Sequence, residues 1–265
     1  MLNSKKKRLL FCIIIAIFAI LFFSAKKSYA ASSALVDGKR WYYTLNGDNA
    51  TNVYSTASFS GTLTIPSAIA GHPVISVGNG SYPLLGTRNS ATNSTVTSVV
   101  IPSSVTSINK NAFKNFNKLT TVSGMENVTD IDSYAFYNCR ALTSVELKDG
   151  LKTIGSDCFE NCTKLVNINI PNSVEKVNSS AFRGCTALEA ITLPTELNLL
   201  GANAFYGCKN LKGDVVIPSK VALMGISCFQ NCTSLDGSLK IESNKWIAIP
   251  DYAFSGFNKS IVVYL

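Results

Sequence analysis

Phenylalanine recurs along this chain at a nearly constant interval. Phe113, Phe136, Phe159, Phe182, Phe205, Phe229 and Phe254 are separated by 23, 23, 23, 23, 24 and 25 residues, and each follows Ala or Cys. A unit of about 23 residues is too short to enclose its own core and becomes stable only by stacking on neighbours into a solenoid. Such a stack displays a long surface, which points to binding or scaffolding.

The clearest copy runs Leu165, Ile168, Ile170, Pro171, Val174, Val177, Ala181, Phe182, Cys185, with Leu188 opening the next. The IxI segment alternates in and out as a strand with one buried face does, and Pro171 ends it. Val174 and Val177 suit a second short extended piece. The spacing of Phe182, Cys185 and Leu188 predicts a short helical turn packing inward. Other copies keep these positions with interchangeable aliphatics, as in Val145 and Leu147 or Val215 and Ile217, so volume is conserved while identity drifts.

Cys139, Cys162, Cys185, Cys208 and Cys232 each stand three residues after the repeat's Phe, where the first and last copies have Phe116 and Phe257. A position that accepts thiol or phenyl asks for buried apolar volume. Cys158 and Cys228 replace the Ala before Phe and read as small hydrophobes. A disulfide framework or zinc site is the competing reading in an exported chain, but the spacing lacks paired CxxC ligands and stacked side chains point in parallel. Buried free thiols are expected.

Residues 1–30 differ in kind. Lys5, Lys6, Lys7 and Arg8 precede an apolar run over 9–23, and Ser28-Tyr29-Ala30 follows. This reads as a signal peptide cleaved after Ala30, because the run is shorter than the roughly 20 residues that span a bilayer; an uncleaved anchor is the rival reading. The net charge of +8 is mostly this leader: six of the 24 basic residues lie there with no acids, leaving 18 against 16 acidic ones. No nucleic-acid partner is therefore expected, nor a membrane partner beyond the leader. The expected location is secreted or cell surface.

The remaining chain divides into an N-terminal β-hairpin cap over 31–60, a degenerate first repeat and polar loop over 61–96, and the regular stack over 97–265. Trp41 to Leu45 and Val53-Tyr54 flank the hairpin signal Asn46-Gly47. In the degenerate repeat Tyr82 takes the place of Phe, as terminal repeats are atypical. At the other end, residues 261–265 form an apolar strand-like segment, either shielded by its own coil or open to weak self-association.

The pattern IPxxVxxIxxxAFxxCxxL, seen from Ile101-Pro102 through Val105, Ile108, Ala112 and Phe113 and again from Ile170-Pro171 to Leu188, resembles the BspA-like leucine-rich repeat family of bacterial surface and secreted proteins. The likeness spans 60–265, and GTLTIPSAIAGHPVISVG over 61–78 resembles the family's opening repeat. It implies a right-handed leucine-rich-repeat solenoid of α/β type, rich in β-structure with short helical turns. About seven repeats of 23 residues follow the degenerate first one. It also implies adhesion roles of the kind attributed to some members. The position that usually carries a ladder of Asn or Cys holds Ser104, Asn127, Gly150, Ser173, Glu196 or Lys220 here.

An enzyme needs a constellation, and none is visible. The only histidine is His72, in a turn, and no phosphate loop, nucleophile elbow or metal-ligand cluster occurs, so neither catalysis nor a cofactor nor a metal is expected. The outward rows of the long strand contain the candidate binding residues Ser123, Glu146, Asn167, Asn169, Thr192 and Lys240. They are small and polar, suited to extended contact with an extracellular protein or glycan, or else merely to a soluble sheet surface. Beside the phenylalanines, Tyr134, Tyr137 and Tyr206 make a rival face. A structural or self-assembling envelope component is the alternative function.

Overall fold

The structure, a computed structural model, describes residues 31–81, 83–85, 95–242, 248–256 and 263–264. The leader, Tyr82, Phe257 and most of the 86–95 loop lie outside the described residues. No helix among the described residues is long and apolar enough to cross a membrane.

From Ser32 onward the chain winds into a β-solenoid of about eight turns. Strands Ser32–Val36, Lys39–Asn46 and Asn49–Ser55 pair antiparallel at its start. The first turn, at Asp37 and Gly38 with φ of 50° and 70°, has the two left-handed residues that a tight hairpin requires. The third strand pairs in parallel through Val53 and Val77 with Ser76–Val77. From there Ser107–Ile108, Asp130–Ile131, Thr153–Ile154, Lys176–Val177, Leu199–Leu200 and Leu223–Met224 follow one per coil, completing a sheet of ten strands. His72 joins the opening repeat to the hairpin, its Nδ1 lying 3.0 Å from the Asp48 carbonyl oxygen.

The IxI segments form a second row, and this row is broken. Gly61–Thr64, Val96–Val100, Thr121–Ser123 and Ser144–Val145 make a parallel sheet of four strands, and Val215–Ile217, Leu239–Ile241 and Val263–Tyr264 make another of three. Between them, 167–170 and 190–193 are extended but carry no ladder.

The segment expected to be a helical turn is not helical, and the α/β description is corrected accordingly: among the described residues the coils contain strands and turns only. The reason lies in two left-handed positions per coil. Asn111, Tyr134, Asp157, Ser180, Asn203, Ser227 and Tyr252 precede Phe by two residues with φ of 55–61°, and Asn115, Asn138, Asn161 and Asn231 follow it by two at 60–63°. An α-helix cannot pass through such residues. Alternate amides bond across coils instead, as from Phe136 to the Cys158 carbonyl at 2.8 Å and from Asn138 to the Glu160 carbonyl at 2.8 Å. The intervening amides, such as that of Tyr137 to the Tyr134 carbonyl, close turns within the coil.

These bonds hold the phenylalanines in one stack. Successive ring centroids from Phe113 to Phe254 lie 5.1–5.6 Å apart, with interplanar angles of 3–16°. Each such pair contributes about 0.5–1.5 kcal/mol beyond its area burial. The seven described cysteines are free and buried. Cys139, Cys162, Cys185, Cys208 and Cys232 each donate the S–H to the carbonyl of the preceding coil's Phe at 3.0–3.2 Å. The thiol thus fills volume and also satisfies a backbone oxygen, a polar role that the exchange of Cys for Phe conceals. Burial pushes the Cys185 and Cys232 thiols up to about 12, so they stay protonated and unreactive.

Candidate functional site

Two faces of the stack compete, and the structure gives them different character. Along the long-strand row Ser123, Glu146, Asn169, Thr192 and Lys240 all point to solvent, as does Asn167 in the neighbouring row. Register fixes this alignment: Ser123 pairs with Val100 and Val216 with Lys240. Glu146 is engaged by Lys148, and Lys240 by Glu242 at 2.9 Å.

The structure brings Asn167, Asn169 and Thr192 together at the break in the sheet. Among the described residues the backbone of 167–170 and 190–193 makes no hydrogen bond to a neighbouring coil. The cause is local composition, since Asn and Ala are poor strand formers and here supply Asn167, Asn169 and Ala190 at three outward positions of adjacent coils. A cleft of about 210 Å³ opens between Asn167, Asn169, Ala190 and Thr192. A second, of about 290 Å³, continues from Ile191 and Thr192 toward Asp214, Val216, Pro218 and Glu242.

This groove has an apolar floor, a polar rim and unpaired backbone groups. Val216 is 38% exposed. At the rim, the Ser238 amide and hydroxyl donate to Asp214 at 2.7 and 2.8 Å and hold its carboxyl below the usual range. Ser123 and Glu146 lie along the same row but do not line the groove. Asp214 and Val216 belong to the outward rows that alternation in the sequence indicates, whereas Ile191, Pro218 and Glu242 join the groove only in the structure. Their signal was the weak strand propensity beside them, which marks where neighbouring coils fail to close.

The tyrosine row is already occupied from within. Tyr134, Tyr137 and Tyr206 are half-buried, whereas Tyr252 is 67% exposed. Lys114 Nζ lies 5.1 Å from the ring centres of both Tyr134 and Tyr137, which meet edge to face at 5.6 Å. The Arg183 guanidinium covers Tyr206 at 5.3 Å, and Asn231 donates to the Tyr206 hydroxyl at 3.0 Å. Cations shield these rings from a partner. Nearby, burial and then Asp157 raise the Glu160 carboxyl to about 7 while Arg183, 3.6 Å away, opposes the shift.

Among the described residues no group of His, Cys, Asp and Glu is arranged to hold a metal ion. The chain covers 77% of itself and 91% of the leucine-rich repeat protein of T. pallidum, whose crystal structure it resembles at 27% identity and a TM-score of 0.64. A leucine-rich cell surface protein from Faecalibacterium prausnitzii A2-165 shares the fold at 24% identity and a TM-score of 0.53, over 82% of this chain and 72% of that one. No curated protein matches significantly. The model of the BspA type leucine-rich repeat region matches residues 88–212 and 201–264 in 6 copies. With two thirds of its residues inside that match, the chain belongs to the BspA type leucine-rich repeat family.

Proposed function

We propose that this protein is an exported recognition module that holds an extracellular protein or glycan on its long-strand face, centred on Asn167, Asn169 and Thr192. The observation that carries the reading is the groove at the broken sheet, because it combines an apolar floor with backbone donors and acceptors that no neighbouring coil pairs. The leader-like residues 5–30 motivate export, and the family's non-enzymatic repeat fold favours binding over catalysis.

The test is capture from host and bacterial extracts by the wild-type protein and two variants. Asn169→Arg with Thr192→Arg should reduce capture at least about tenfold, whereas Tyr137→Ala with Tyr206→Ala should leave it intact. The reverse pattern would move the site to the tyrosine row.

A second reading is self-assembly, and the exposed apolar residues near the C-terminal end support it. Leu223, Ile226, Ile249 and Tyr252 are 65, 55, 48 and 67% exposed. Exposed apolar side chains gathered in one region invite association. Sedimentation at rising protein concentration should show reversible growth that Leu223→Lys and Ile226→Lys abolish; an unchanging monomer removes this reading.

A further inference from the structure

Charge on the solenoid is segregated in a way that the overall balance hides. Between 109 and 242, the segments that run from four residues before each Phe to six after hold seven basic residues against three acidic ones. The strand segments of the same stretch hold six basic against ten acidic, so the turn edge carries +4 and the strand faces −4. Among the described residues four of the five ion pairs also lie on the strand side. On the turn edge Lys118, Arg140, Lys164 and Lys209 are exposed and form no ion pair among the described residues.

These four cations fall at the same place in their coils, four or five residues after Phe. Cross-coil bonds before them, such as Asn115 to the Tyr137 carbonyl and Asn138 to the Glu160 carbonyl, fix their register. Bonds after them, such as Thr143 to the Thr120 carbonyl, fix it again. Among the described residues the ladder therefore has one cation outside any ion pair on each of three consecutive coils and another two coils further on, the Arg140 Nε donating to Asn138 Oδ1 at 2.7 Å within its own turn. Asn117, Thr163 and Asn210 stand beside them as neutral hydrogen-bonding groups.

We propose that this turn edge is a second binding surface, distinct from the groove, for a linear sulfated glycan. Its anionic groups meet the cations rung by rung, and its hydroxyls meet the amide and hydroxyl side chains between them. The cations form a straight row with a step of about 4.8 Å per coil, whereas the phosphates of a duplex wind around its axis with a rise of roughly 3.4 Å per nucleotide on each strand and so turn away from a straight row. Single-stranded nucleic acid needs open aromatic platforms, and the tyrosines nearest this edge are covered by Lys114 and Arg183.

The experiment measures binding of the purified protein to heparin at several salt concentrations. Parallel arms use desulfated heparin, duplex DNA, polyphosphate and poly-glutamate. Heparin should bind at low salt and weaken steeply as salt rises. Lys118→Gln, Arg140→Gln, Lys164→Gln and Lys209→Gln together should lower affinity about tenfold or more, while Lys148→Gln, Lys152→Gln, Lys176→Gln and Lys220→Gln should change it less than about twofold. All eight residues sit at the surface, so unchanged thermal unfolding checks the fold of both variants. Equal loss from both sets, equal binding of desulfated heparin, or preference for DNA, polyphosphate or poly-glutamate would overturn the proposal. Capture through the groove should survive the turn-edge changes, so failure of either surface is read separately.

Discussion

Replacing Phe159 by Ala is expected to destabilise the protein by about 4 kcal/mol, the range for deleting a fully buried aromatic side chain. Its ring lies between Phe136 at 5.1 Å and Phe182 at 5.3 Å, so truncation removes two stacked contacts and leaves a hole at the centre of a continuous column. Coils interact only with neighbours, so the weakened junction should also split unfolding into two transitions. Phe254→Ala, at a half-buried position of the same column, should cost about half as much or less because less of the ring leaves water on folding. Chemical denaturation followed by circular dichroism measures both. Equal losses would mean that the rings pack independently and the column is no structural unit.

Gly124→Ala should cost about 3 kcal/mol, although no large side chain is lost. Gly124 has a φ of +82°, and a Cβ there would lie 1.8 Å from the Ile101 carbonyl oxygen. The backbone of one coil would have to leave the next. In the repeat this position is normally an inward aliphatic, Ile101 or Leu147; here the glycine lets the chain turn so that Met125, 2% exposed, fills the core instead. Gly207→Ala is the control, since its φ is +70° but nothing lies within 4 Å of the added atom. It should lose about 1 kcal/mol, the cost of the left-handed conformation alone. If the two variants unfold together, contact with Ile101 does not matter.

The column of rings was legible because identical residues at a fixed interval leave few other ways to be buried. The cysteines were legible as apolar volume, but their bond to the preceding Phe carbonyl was not, since it depends on where a neighbouring coil's backbone falls. The turn geometry was misjudged for a related reason: Phe182, Cys185 and Leu188 have helical spacing, yet Ser180 and Gly184 adopt left-handed φ of 57° and 69°. Asn at the equivalent positions 111, 115, 138 and 161 was a hint, because Asn tolerates that conformation.

The candidate surface was only half legible. Alternation placed Asn167, Asn169 and Thr192 outward, but the same IxIP pattern occurs at Ile168–Ile170 and at Val215–Ile217, and only the latter pairs with its neighbour. Closure of a sheet is a property of adjacent coils, so one copy read alone does not reveal it. Likewise the balanced charge of the repeats conceals a polar division that emerges only when the coils are superposed.

The interlocking of like with like has a further result. Because the stacked rings and the turn amides beside them meet their counterparts one period away, excising or duplicating a whole period would rejoin closely matching surfaces and keep the ring column continuous. What would vary is the number of contact points offered to a long ligand, and attachment strength scales steeply with that number. Gain or loss of coils is therefore a route by which the grip of such a protein can be retuned without redesigning any single contact.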